Sequence, residues 1–278
     1  MPLHSSTYGK GRVRIARVHR DGDHNEIREL TVQTMLEGDF AGAYTNGDNR
    51  TSIATDTIKN ITNIVARENL DAGIESYAHS LATRFLDRYP QVTTATVTCH
   101  ETKWLRATIA GRPHPHSFLL DPNGKPYAKV IASRDQVRTT SGITGFTFMK
   151  TTQSGWVAYH TDAYTTLKET TDRIAATAMD ATWNWNAPPA DYAATNAQIL
   201  GTLLDVFATT YSKGVQDSLY RMGEAALAAT PELETITMAC PNKHYLPIDL
   251  SPFNLSSDNT VFTPTDEPHG QIECTVAR

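Results

Sequence analysis

The stretch Pro241-Asn242-Lys243-His244-Tyr245-Leu246-Pro247-Ile248-Asp249-Leu250 sets two polar side chains of different talents, Asn242 and His244, two residues apart. Residues i and i+2 of a strand point to one face, so this pair would project together while Lys243 points away. An amide holds a small polar ligand by donating and accepting hydrogen bonds, and an imidazole moves protons near neutral pH. The same residues also fit a turn opened after Pro241 followed by a satisfied strand histidine. A second pair, His114 and His116, is split by Pro115 and follows Arg112-Pro113, which predicts a loop. No carboxylate or cysteine stands at ligand spacing beside it, so a metal is not expected there.

The chain around these residues is ordinary in composition. Its 278 residues allow one or two domains and a large core. With 40% apolar and 20% charged residues it has the balance of a globular protein, and a net charge of -5 leaves no basic footprint for nucleic acid. No apolar run approaches the ~20 residues of a membrane span, and the start Met1-Pro2-Leu3-His4-Ser5 has no charged region leading into an apolar one. Cys99, Cys240 and Cys274 are odd in number and widely spaced, which suggests buried thiols in a reducing compartment. A cytoplasmic protein with neither membrane nor nucleic-acid partner is expected.

Periodicity then assigns the elements. Residues 8–18 alternate, with Val13 and Ile15 on one face and Arg12 and Arg14 on the other, which predicts a half-buried strand. Lys10 near its start has the character of a solvated edge lysine. Asp21-Gly22-Asp23 signals a hairpin into a second strand over 26–35. After the polar loop Asn46-Gly47-Asp48-Asn49, Ser52-Ile53-Ala54 suggests a short strand, and Thr55-Asp56-Thr57 stand where helix caps belong, before Ile58, Ile61 and Val65. A helix N-terminus also offers free N–H groups to an electron-rich ligand. Ile74, Tyr77, Leu81 and Phe85 mark a second helix ending before Pro90, and residues 91–109 and 117–133 are strands, the latter broken at Asp121-Pro122-Asn123-Gly124. The second half repeats the order: strands at 143–150 and 179–185, helices marked by Ile199, Leu203 and Val206 and by Val215, Leu219, Met222 and Ala226, then strands at 234–240, 244–250 and 271–276. Two such units, residues 1–140 and 141–278, imply an α+β protein with antiparallel sheets and helices on one face.

Several spaced motifs carry a resemblance. Lys150-Thr151-Thr152-Gln153-Ser154-Gly155-Trp156-Val157-Ala158-Tyr159, then Tyr164-Thr165-Thr166-Leu167 and Arg173, together with Ala54-Thr55-Asp56-Thr57-Ile58-Lys59-Asn60 and Pro241-Asn242-Lys243-His244, resemble the signature of the urate oxidase family from residue 8 to about 272. The resemblance implies the tunnelling fold, with two tandem ββααββ-type units per chain and a barrel closed by association into a homotetramer with active sites between subunits. It also implies a reaction without metal or organic cofactor, in which urate, O2 and water give 5-hydroxyisourate and hydrogen peroxide. Matched one at a time, Lys10, Thr55 and His244 fall on the proton-relay triad, and Asn242 on the asparagine that, with the threonine, holds dioxygen or water over the substrate. Arg173 and Gln216 fall on the pair that grips the purine edge, Val215 on a position whose backbone touches the substrate, and Asp56 on the residue after the catalytic threonine.

Dioxygen is a triplet that reacts poorly with closed-shell molecules, so a cofactor-free enzyme must make its substrate electron-rich. Urate, a planar polyamide that loses protons readily, is such a substrate. A lysine beside a threonine hydroxyl can take the proton if burial lowers its pKa, a histidine can pass it on, and a guanidinium fork holds the anion. Where the family has a stacking phenylalanine this chain has Trp156, with Gly155 before it as a source of room for the larger ring. Ala158-Tyr159 replaces the usual Gly-Phe, and Thr161 stands where an arginine is common. Alternatives are a uricase-like oxidase of another electron-rich heterocycle and a purine-binding protein of the same fold without turnover. A metal-dependent cyclohydrolase of that fold is disfavoured by the missing Cys/His cluster. Arg278 closes the chain without a Ser-Lys-Leu peroxisomal signal, in keeping with a cytosolic enzyme.

Overall fold

In a computed structural model that describes residues 2–278, the chain forms two compact units, residues 1–142 and 143–278. The first opens with a hairpin of β1 (Tyr8–Asp21) and β2 (His24–Gly38), which turns over Gly22-Asp23. β3 (Val92–Ile109) pairs with β2 and is long enough to carry two strands end to end on its other edge. These are β4 (Arg112–Asp121), on residues 103–109 of β3, and β5 (Lys125–Ser133), on residues 94–100. All pairings are antiparallel. Alternate residues such as Leu30 and Val32, Val97 and Cys99, and Ala128 and Val130 are buried, so one face of this sheet is covered. The cover is α2 (Thr55–Asn69) and α3 (Ile74–Arg88), whose Ile58, Val65, Tyr77, Leu81 and Phe85 join the same core.

The second unit repeats the plan. After β6 (Val137–Lys150), whose last eight residues, 143–150, lie in it, come β7 (Ala175–Trp185), β8 (Leu233–Pro247) and β9 (Phe262–Ala277), with β8 antiparallel to both neighbours. α4 (Tyr192–Thr209) and α5 (Val215–Ala229) bury Ile199, Leu203, Leu219, Met222 and Ala226 against Met179, Trp183, Ile236 and Met238. Asp191 caps α4, its carboxylate accepting from the Ala194 amide. At the other end the Lys150 ammonium donates to the Phe207 and Thr210 carbonyls, where a cation complements the negative helix terminus. Cys99 and Cys240 are buried and Cys274 half-buried, all as free thiols. Among the described residues no helix is long and apolar enough to cross a membrane.

Local expectations are corrected in five places. Residues 52–54 form no strand, because the Ile53 amide donates to the Tyr8 hydroxyl at 2.7 Å rather than to a neighbouring strand. Thr55 is the first residue of α2 and not its cap; Ala54 occupies the cap position with no side chain to contribute. His114 and His116 lie inside β4 and not in a loop. Their prolines are tolerated because, among the described residues, β4 pairs with β3 alone, and the Arg106 guanidinium donates to the His114 and Pro115 carbonyls. The two strands expected either side of Pro241 are one, β8, so Pro241 opens no turn. A short helix, α1 (Ala41–Thr45), precedes the polar loop and had no periodic signal.

Candidate active site

Lys10 reaches the helix-covered face of its sheet through a break in alternation. It lies opposite Thr34, which shares a face with buried Leu30, Val32 and Leu36. Directly paired residues point to one side, so Lys10 points toward the helices, as does Val13. Two residues an odd number apart on a regular strand could not share a face. The register shift between Lys10 and Val13 supplies the extra residue of a β-bulge, with Arg12 in the left-handed region at φ 55°. Thr55 and Asp56 occupy the first turn of α2, where backbone N–H groups lack helical partners. The Asp56 carboxyl is held below its usual range first by a hydrogen bond from Lys59, then by that lysine's charge, and also by the positive charge of Lys10. The first unit therefore gathers an amine, a hydroxyl and a carboxylate at the start of one helix.

In the second unit the matching place is the start of α5, with Val215 and Gln216 as its first two residues. Asn242 follows Cys240 and Met238 on the helix-covered side of β8, opposite Thr177 on β7. With Val215, Thr177 and Ser212 it lines a cavity of about 30 Å³. His244 lies two residues on along the same strand and is half-buried. Lys243 points the other way and pairs with Asp266 at 2.9 Å. The β8–β9 register shifts between Asn242 and His244.

Trp156 and Arg173 are brought together by short backbone links rather than by a long element. The Trp156 amide donates to the Thr170 carbonyl at 2.7 Å and the Trp156 carbonyl accepts from the Thr170 amide at 3.1 Å, while the Arg173 amide donates to the Ser154 carbonyl at 2.9 Å. The Arg173 guanidinium lies 5.9 Å from the indole centroid, in cation–π range. Its Nε is buried without a hydrogen-bond partner among the described residues, an open donor beside the indole, and the buried Ser154 hydroxyl of the same wall is likewise unpartnered. Desolvation lowers the Arg173 pKa, though a guanidinium stays charged at any ordinary pH. Tyr159 stacks on Trp156 with centroids 5.7 Å apart and planes 12° from parallel. Ala158, between them, sits at φ 56°, a conformation that costs an L-residue roughly 1–2 kcal/mol. Ala158→Gly is accordingly expected to raise stability by about 1 kcal/mol, seen as a higher denaturation midpoint in urea; a lower midpoint would show the strain is absent.

Two contributors escaped the sequence reading. Gly155 does not make room for the indole: a Cβ there would meet the Tyr211 hydroxyl at 2.2 Å, and that hydroxyl donates to the Thr171 carbonyl. The room comes from Gly214, where a Cβ would fall 2.6 Å from the indole Cζ3. Both Tyr211 and Gly214 stand just before Val215 and Gln216, but no periodicity marks a close approach.

The chain matches the family model described as Uricase over residues 6–131 and 139–273. It is 36% identical to a uricase of Dictyostelium discoideum, covering 99% of this chain and 97% of that one. It is 37% identical to a uricase of Aspergillus flavus, over 99% and 96% of the two chains. The crystal structure of uricase from Arthrobacter globiformis superposes with a TM-score of 0.94 at 37% identity, over 100% of this chain and 95% of that one. Its α+β architecture is therefore the tunnelling fold expected above, and with family and structure agreeing along nearly the whole length, the chain belongs to the uricase family.

Proposed function

We propose that this protein is a cofactor-independent urate oxidase: urate, O2 and water become 5-hydroxyisourate and hydrogen peroxide. The observation that carries this reading is the arrangement at the start of α5, where a half-buried guanidinium with an open donor lies beside an indole face, in a chain of the uricase family. Arg173 and Gln216 grip the ring edge, Trp156 stacks on it, and the free N–H groups near Val215 face its polar rim. Lys10, with Thr55 and His244, removes and passes on the proton, Asp56 after the threonine joins the residues that bind the substrate, and Asn242 with Thr55 holds dioxygen or water above the ring. These groups are fixed before the substrate arrives, which is where the electrostatic gain of catalysis arises. Protein dialysed against a chelator is expected to consume urate at full rate under oxygen, followed by loss of urate absorbance. Activity lost on dialysis and restored by copper or iron would overturn the cofactor-free mechanism. Trp156 in the wall favours a second reading, oxidation of another electron-rich heterocycle; consumption of such a ring with urate left untouched would select it.

The same reading includes a homotetramer in which each site joins the first unit of one subunit to the second unit of another. It is supported by the division of the residues, with Lys10, Thr55 and Asp56 in the first unit and Trp156, Arg173, Val215, Gln216, Asn242 and His244 in the second. Mixing inactive Lys10→Met and Arg173→Ala proteins under conditions of proven subunit exchange should then restore activity, because some hybrid sites carry neither change. No recovery would mean that one chain builds each site alone. A cytoplasmic setting belongs to the same reading and is supported by the three free thiols.

A further inference from the structure

Gly214 sits where the wall and the gripping helix meet. Three backbone segments converge there: the Gly155 amide donates to the Ser212 carbonyl and the Ser212 amide to the Gln153 carbonyl, both at 2.9 Å, and Trp156 is tied to Thr170 as described. The Gly214 carbonyl is held from the other side, receiving the Ser212 and Ser218 hydroxyls at 3.1 and 3.2 Å and the Ser218 amide at 3.2 Å. Neither backbone is free to give. A Cβ on residue 214 would lie 2.6 Å from Cζ3 and 3.0 Å from Cε3 of Trp156, and 3.4 Å from the Gln216 Oε1. The φ of 166° at Gly214 is extended backbone that any residue adopts, so the glycine is required by the ring and not by the chain.

We propose that Gly214 is a positioning residue that sets substrate specificity: the Cβ it lacks is the space filled by the six-membered ring of Trp156, and the two residues together fix how far the stacking wall stands from the start of α5. The inference rests on the reading above that a flat purine-like ring lies between that wall and Gln216. A methyl group at 214 leaves the tethered backbones in place and pushes the indole instead, toward Arg173 and Tyr159, which already lie against it. The wall then stands in the wrong place for the ring, while Lys10 and Asn242, which carry the chemistry, are untouched. A phenyl ring has no atoms where the indole's outer ring lies, so the clash depends on which aromatic occupies position 156.

The test is a cycle of four proteins: native, G214A, W156F and the double variant. In the native background G214A should raise KM for urate by about tenfold or more, worth about 1.4 kcal/mol, with kcat changed less than about threefold. In the W156F background the same change should alter KM by less than about twofold. Near-ultraviolet circular dichroism should show G214A displacing the Trp156 signal with no ligand present, a readout that survives even if urate is not the substrate. An equal effect of G214A in both backgrounds, or an unmoved indole signal, would overturn the proposal. If G214A does not fold alone, a folded double variant is the expected rescue, and failure of both to fold would assign residue 214 to the backbone and refute the coupling. Urate left unconsumed by all four proteins, with the indole signal shifted as expected, would sink the substrate and leave the pair standing.

Discussion

Lys10→Met lowers kcat for urate by about 10²–10⁴-fold while KM stays within about threefold, because general-base catalysis contributes that much to a rate and the lysine is not asked to hold the ring. The expectation follows from where the amine stands. The bulge between Lys10 and Val13 turns it to the helix-covered face, where its charge reaches Asp56 at the start of α2. Methionine keeps the length and the apolar stem and removes only the titrating group, so packing is preserved. Steady-state kinetics on the folded variant decide the matter. A change confined to KM would move Lys10 from the proton relay to substrate binding.

Arg173→Ala acts in the opposite sense. Truncating one partner of a desolvated, hydrogen-bonded charge pair costs about 2–5 kcal/mol, so kcat/KM should fall by roughly thirtyfold to a thousandfold or more, carried mostly by KM. Arg173→Lys should recover little of this, since an ammonium cannot present the planar fork. The loss also reaches the wall, because the guanidinium lies over the Trp156 ring. Equilibrium binding of urate under anaerobic conditions separates affinity from turnover. Unchanged binding with a collapsed kcat would show that Arg173 serves the reaction and not the grip.

Which of these features could be seen in the sequence depends on how each is encoded. The helices are legible because their apolar stripes repeat: Ile58, Ile61 and Val65 in α2 and Leu219, Met222 and Ala226 in α5 are all buried. Asn242 and His244 are legible as a pair because both lie within one strand, β8. Lys10 is not, since strict alternation puts it with Arg12 and Arg14 on the solvent side, and one inserted residue reverses that. Its role came from the family motif alone. Gly214 is hidden for a different reason: what it contributes is an absence of atoms, felt only when Trp156 from a distant segment arrives. The misplaced short strand at 52–54 shares this cause, its amide being claimed by Tyr8 from 45 residues away.

The buried thiols bear on how such a protein survives its own product. Hydrogen peroxide attacks the thiolate and not the thiol, so a cysteine's vulnerability is set by how much of it is ionised and by access. Burial raises the pKa of all three cysteines: Cys99 strongly, Cys240 to about 11 and Cys274 more mildly. At neutral pH Cys240 is then ionised in roughly one molecule in ten thousand, although it precedes Asn242 by only two residues on the strand where the oxidant would be released. An oxidase built this way carries sulfur beside its site in a form its waste cannot easily use.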